Sequence, residues 1–174
     1  TEVLADVKEF FERQSDGIVG PPDDEFIATE FFDFEYLDSV DHVSWQWVNE
    51  PFAFVTVVHD PAENEYRYRV VEPKLDEFEH YVREDLVELL RNNLMYRDFD
   101  DEDRETAFRR EARALIDEQA ATVEPGSIHK LLYYLIRDFV DYGPIDPIMR
   151  DEDIEDVSCD GHDVPVFVYH RQYR

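Results

Sequence analysis

The apolar residues change period part-way along the chain, and this change narrows the fold more than any other feature. Phe52, Phe54, Thr56 and Val58 can face one way in a run rich in β-formers. Tyr66, Tyr68 and Val70 alternate with Arg67, Arg69 and Val71. Between them, Asp60-Pro61-Ala62-Glu63-Asn64 carries turn chemistry, so a β-hairpin is predicted over about 52–59 and 65–71. Beyond Pro73 the spacing becomes helical. Leu75, Phe78, Val82, Leu86, Leu89 and Leu90 form a stripe to about residue 95. Phe108, Ala112, Leu115 and Ile116 give a second, and Ile128, Leu131, Leu132, Leu135, Ile136, Phe139 and Val140 a third, stopped by Gly143 and Pro144.

The flanks extend this α+β pattern. Val3, Leu4, Val7, Phe10 and Phe11 predict an amphipathic helix over 2–14, and Gly17, Gly20, Pro21 and Pro22 a linker. Phe32, Phe34 and Tyr36 alternate with acids as a weak strand would, and Trp45 and Trp47 alternate likewise. Asp146-Pro147-Ile148-Met149 reads as one helical turn. Glu155 to Cys159 and Val164 to Tyr169 read as strands around Asp160-Gly161. A lone hairpin is marginal in water, so this one is expected to belong to a sheet whose other strands lie past Arg174. The start at Thr1 rather than Met also suggests a piece of a longer protein. The predicted organisation is an N-terminal helix and linker (1–22), a hairpin plus three-helix bundle (23–143), and the beginning of a further α/β domain (144–174).

Charge limits the partners. Seventeen basic and 44 acidic side chains give a net charge of −27, yet 43% of residues are hydrophobic, enough for a core. Such a surface repels nucleic acid and anionic membranes. Lys occurs only as Lys8, Lys74 and Lys130, and acid is spread along the whole chain. Both point to adaptation to a salt-rich cytoplasm; a basic partner is the competing reading.

The sequence carries no recognisable catalytic motif. None of the five glycines precedes a Lys, so the G-x-x-x-x-G-K-[ST] phosphate cradle is absent, as is G-x-G-x-x-G. The six histidines form no H-E-x-x-H, and Cys159 with His162 lacks two further zinc ligands. The acidic run Asp98 to Asp103 has no Gly at the sixth place of a calcium loop and reads as helix-capping. No G-x-S-x-G exists, and carboxylate pairs are too common here to be diagnostic. Two surface features stand out. Tyr142-Gly143-Pro144-Ile145-Asp146-Pro147 is a stiff, aromatic-tipped turn, read either as a hinge or docking corner or as an ordinary helix stop. Trp45, Trp47 and Phe52 make an aromatic group, read either as an interaction patch or as core packing.

The segments YGPIDPIM (142–149), IEDVS (154–158) and PVFVYHR (165–171), with YRVVEPKL (68–75) upstream, resemble the N-terminal region of archaeal type II/type IV secretion ATPases. These are the motors of archaellum and type IV pilus assembly. The resemblance covers roughly residues 45–174. It implies a hexameric ATPase working in the cytoplasm, at the inner face of the membrane, against a platform protein. It further implies that these residues flank the motor domain and move against it. Walker A, Walker B, Asp-box and His-box elements are missing from these residues, so no catalytic position is carried over. ATP and Mg are expected for the parent protein and no cofactor for this piece, because contacts to the transferred phosphates supply most of that catalysis. The alternative is a free-standing acidic adaptor for a basic protein.

Overall fold

Strand β2 (Ala53–Asp60) is the element around which the N-terminal half is built. In the computed structural model, which describes residues 2–14, 19–94, 104–119, 123–158 and 167–172, Ala53 to Val58 are all buried. Flanking strands β1 (His42–Asn49) and β3 (Glu65–Val71) pair antiparallel with it, in the order β1-β2-β3. The hairpin register runs from Phe54 opposite Val71 to Asp60 opposite Glu65, and Asp60 caps the turn by accepting the Ala62 N–H at 2.9 Å. A strand buried on both faces needs cover on both. Phe54 packs into one apolar cluster with Phe32 and Val3, while Ala53 joins another with Tyr133 and Tyr134.

Helix α1 (Glu2–Arg13) lies where the spacing predicts and buries Val3, Val7 and Phe11 against the first of these clusters. Next comes a short helix α2 (Asp24–Phe26), capped by Asp23, whose carboxylate accepts the Phe26 N–H at 2.7 Å. It runs into a π turn (Ile27–Phe31) that buries Ile27 and Phe31. The weak strand expected at Phe32 to Tyr36 is a helix instead, α3 (Phe34–Ser39). Asp33 accepts the Tyr36 N–H and caps it, and the alternation of aromatics with acids served the helical spacing of Phe34 and Leu37.

The bundle follows from three stripes. Helix α4 (Glu77–Leu94) buries Val82, Leu86 and Leu90, and α5 (Arg104–Gln119) buries Phe108, Ala112 and Ile116. Both sets are spaced i, i+4, i+8, so each lies along one helix face. They close on α6 (Pro125–Phe139), whose Ile128, Leu131, Leu132, Leu135 and Ile136 complete the cluster. Helix α4 starts at Glu77 rather than at Pro73, because Asp76 and Glu79 form a reciprocal capping box. Asp76 accepts the Glu79 N–H at 2.7 Å, and Glu79 accepts the Asp76 N–H at 3.0 Å. Gly126 sits under the Phe26 ring, into which a Cβ would collide, so glycine is required where Phe26 meets the start of α6.

Beyond α6 come a 3-10 turn (Gly143–Ile145), helix α7 (Asp146–Met149) and the antiparallel pair β4 (Ile154–Ser158) and β5 (Phe167–His170). The predicted Asp160-Gly161 turn, Cys159, His162 and the run 98–103 lie outside the described residues.

Candidate docking site

Polar side chains of α6 join the sheet to the bundle. Lys130 lies within the apolar stripe, with its side chain 1% exposed. Its ammonium donates to the Glu30 carbonyl at 2.9 Å, the Lys74 carbonyl at 2.9 Å and Glu79 Oε1 at 2.8 Å. All three N–H groups are thus satisfied, and the Phe26 ring lies 5.1 Å from the nitrogen. One turn on, Tyr133 donates to Glu72 Oε2 at 2.5 Å and Tyr134 to the Pro73 carbonyl. Arg137 Nη1 reaches both oxygens of Glu72, at 3.0 and 2.8 Å. Arg83 and Arg137 stack on the Tyr134 ring at 4.6 and 4.8 Å, and each also bonds Asp138. Residues 72–74, which leave the sheet, are therefore fastened to α6.

Burial pushes the Tyr133, Tyr134 and Tyr68 phenols well above their ordinary range, and the carboxylates of Glu72, beside Tyr133 and Tyr134, and of Asp151, bonded to Tyr68, add to it. A raised phenol gives stability that is fully present below pH about 10 and is lost as pH rises, because only the unfolded phenols ionise. We expect phenolate absorbance of the folded protein to account for fewer than its ten tyrosines. The rest should appear in one step with unfolding. A smooth titration of all ten before unfolding is the contrary result.

The turn after α6 is braced in the same manner. Gly143 takes φ +67°, which lets the chain reverse before Pro144. Asp146, 2% exposed, accepts from Arg150 Nε at 2.7 Å and from the Tyr142 N–H at 3.4 Å. Arg150 also bonds Asp141 at 3.2 Å. Burial pushes the Asp141 carboxyl up, with the Asp146 charge adding to it and Arg150 opposing it. Next to this turn, buried Asp151 accepts from Tyr68 Oη at 2.6 Å, Gln46 Nε2 at 2.8 Å and the Asp153 N–H at 2.9 Å. Strands β1 and β3 are thereby tied to the connection between α7 and β4.

Of the predicted turn residues, Gly143, Asp146 and Pro147 are buried and structural. Tyr142, Pro144 and Ile145 project, with Met149 also exposed. The corner thus shows solvent an apolar group on a braced base, which suits docking. To swing as a hinge it must break the Arg150–Asp141 ion pair, which spans the turn. The aromatic group divides differently. Trp47 donates to Asp6 at 2.9 Å and packs on Phe54, and Phe52 stacks on Tyr133 with ring centroids 5.3 Å apart. The contacts of these two side chains lie inside the protein. Lys130 and Asp151 carried no sequence signal of their own. No group of three or more His, Cys, Asp or Glu able to hold a metal occurs among the described residues.

Sheet β1-β2-β3, α2, the π turn and α3 share one stretch of chain. Residues 22–74 match the family described as PilB3-like, N-terminal. The match supports an N-terminal region of the pilus and secretion ATPase type, and it begins at Pro22, ahead of Trp45, where the tail-based resemblance starts. Uncharacterized protein MJ1288 of Methanocaldococcus jannaschii is 32% identical over 123 residues, which cover 70% of this chain and 49% of the relative. The chain therefore spans about half the length of the curated relative it matches.

Proposed function

We propose that this chain is the non-catalytic N-terminal region of a hexameric secretion or pilus-assembly ATPase, which docks the motor to a membrane platform protein and moves with ATP turnover. The observation carrying this reading is the PilB3-like N-terminal match over residues 22–74. Electrostatics support the docking part. Cytoplasmic loops of membrane proteins carry excess Lys and Arg, and a chain of net charge −27 attracts such loops while anionic lipid repels it. No described helix is long and apolar enough to cross a membrane, so the reading attaches the protein to the membrane through its partner. The exposed corner of Tyr142, Pro144 and Ile145 is the assigned contact. Residues 1–22 act as entry helix, 23–143 as docking unit and 144–174, whose first residues complete the contact corner, as approach to the motor, and ATP and Mg are bound by the motor.

Two measurements test this. The purified chain with ATP and Mg should release no phosphate above buffer. It should capture the immobilised cytoplasmic domain of the platform protein, and Y142A/I145A should weaken that capture about tenfold. Hydrolysis by the chain itself, or failure to capture the domain, overturns the proposal. Salt-sensitive capture of an unrelated cationic protein in its place supports the adaptor.

A further inference from the structure

A pocket of about 360 Å³ opens between α1, α3 and β1. Val3, Leu37 and Phe54 make it apolar, and all three are buried. Trp45 forms part of the wall, held edge-to-face against Trp47 at 6.0 Å and Phe54 at 5.8 Å. His42 fixes the spacing of the walls. Its Nε2–H donates to the Leu37 carbonyl at 2.7 Å, and Nδ1 lies 2.7 Å from Thr56 Oγ1, so both ring nitrogens are engaged. Glu2 and Asp38 bring exposed carboxylates to the lining, and neither pairs with a cation among the described residues.

We infer that this pocket binds a Lys or Arg side chain presented by a basic segment of a partner protein. Three properties select that chemistry together. Apolar walls take an alkyl stem, as long cationic side chains bury theirs. An indole attracts a cation that approaches its face. Carboxylates at the lining attract the charged head and repel Asp, Glu and phosphate. A neutral alkyl chain gains only the first of these. The inference rests on the proposed docking role for who presents the segment, but the chemistry of the pocket stands without it.

The test uses ¹⁵N-labelled chain in KCl and follows the two indole N–H signals, assigned with W45F. Capped tripeptides carrying a central Lys, Arg, norleucine or Glu between glycines are the probes. We expect Lys and Arg peptides to move the Trp45 signal to saturation. Trp47, whose N–H is tied to Asp6, should stay in place as an internal control. Norleucine should bind about tenfold more weakly, and Glu should give no shift. E2Q/D38N, which alters two exposed side chains, should fold normally and lose about tenfold in lysine affinity. Equal binding of norleucine and lysine overturns the inference, because burial alone then explains the site. Unchanged lysine binding by E2Q/D38N overturns it too, as does the absence of a saturable shift. A chain that takes the lysine peptide but captures no platform domain supports the pocket and removes the docking role. The opposite result removes only the pocket.

Discussion

Lys130→Met should destabilise the protein by about 3–5 kcal/mol, because it leaves a buried carboxylate with no counter-charge. Lys130 and Glu79 are 1% and 3% exposed at their side chains. Met keeps the length and apolar character of the stem, so little of the loss comes from packing. Three acceptors lose their donor together: the Glu30 and Lys74 carbonyls and the Glu79 carboxylate. The sign of the double variant distinguishes this account from simple loss of a contact. Gln at position 79 can still cap α4 through Asp76, yet carries no charge. E79Q should therefore restore part of the stability lost in K130M rather than subtract from it. Denaturant midpoints at fixed KCl measure both. Additive losses would sink the idea. A pair this deep is little screened, so its contribution should persist in high salt, whereas exposed pairs such as Arg13–Glu9 should fade.

The same residue shows how far the sequence could be read. Elements with a strong period were legible: the hairpin, the three bundle stripes, α1 and the single turn Asp146–Met149. Their boundaries follow from side chains that repeat locally, as Val82, Leu86 and Leu90 do. The failures have a common physical source. Lys130 in an apolar stripe carries no local sign of burial, since its partners are 51, 56 and 100 residues away in sequence. Asp151 is one acid in the run Asp151-Glu152-Asp153, and only the fold brings Tyr68 and Gln46 to it. Alternation at Phe32, Phe34 and Tyr36 misled because a cap, Asp33, decides the local backbone. The corner after α6 was legible as a turn from Gly143 and Pro144. Which of its residues project was not, because that depends on how the folded turn buries Asp146, which holds Arg150 Nε and the Tyr142 N–H, while Pro144 and Ile145 face solvent. In an acid-rich chain, the carboxylates that matter differ from the rest only in burial and partners.

Asp151→Ala should loosen the C-terminal hairpin before the rest of the protein. Asp151 is 4% exposed and holds three donors, two of them from the sheet, across 83 and 105 residues of sequence. Hydrogen bonds to a charged acceptor contribute about 1.5–3 kcal/mol each, less at the exposed Gln46 amide, where water can take the place of Asp151. Among the described residues, one ring contact also joins this hairpin to the sheet. The Tyr68 and His170 rings touch at 6.1 Å, and the Arg171 N–H to Asp153 carbonyl bond at 2.8 Å lies within the hairpin unit itself. Amide exchange in Ile154–Ser158 and Phe167–His170 should therefore rise about a hundredfold in D151A, the equivalent of about 2.7 kcal/mol. Exchange in α4 and α6 should stay near its original rate. Y68F removes one of the three donors and should give a smaller rise in the same segments. A rise spread evenly over the chain would show that Asp151 supports the whole fold instead. The distinction matters for the proposed role. If the segment leading toward the motor is latched to the sheet by one carboxylate, a pull on that segment reaches β1 and β3 through Gln46 and Tyr68. D151A would then uncouple the two while leaving the lysine pocket on the far side of β1 able to bind its peptide.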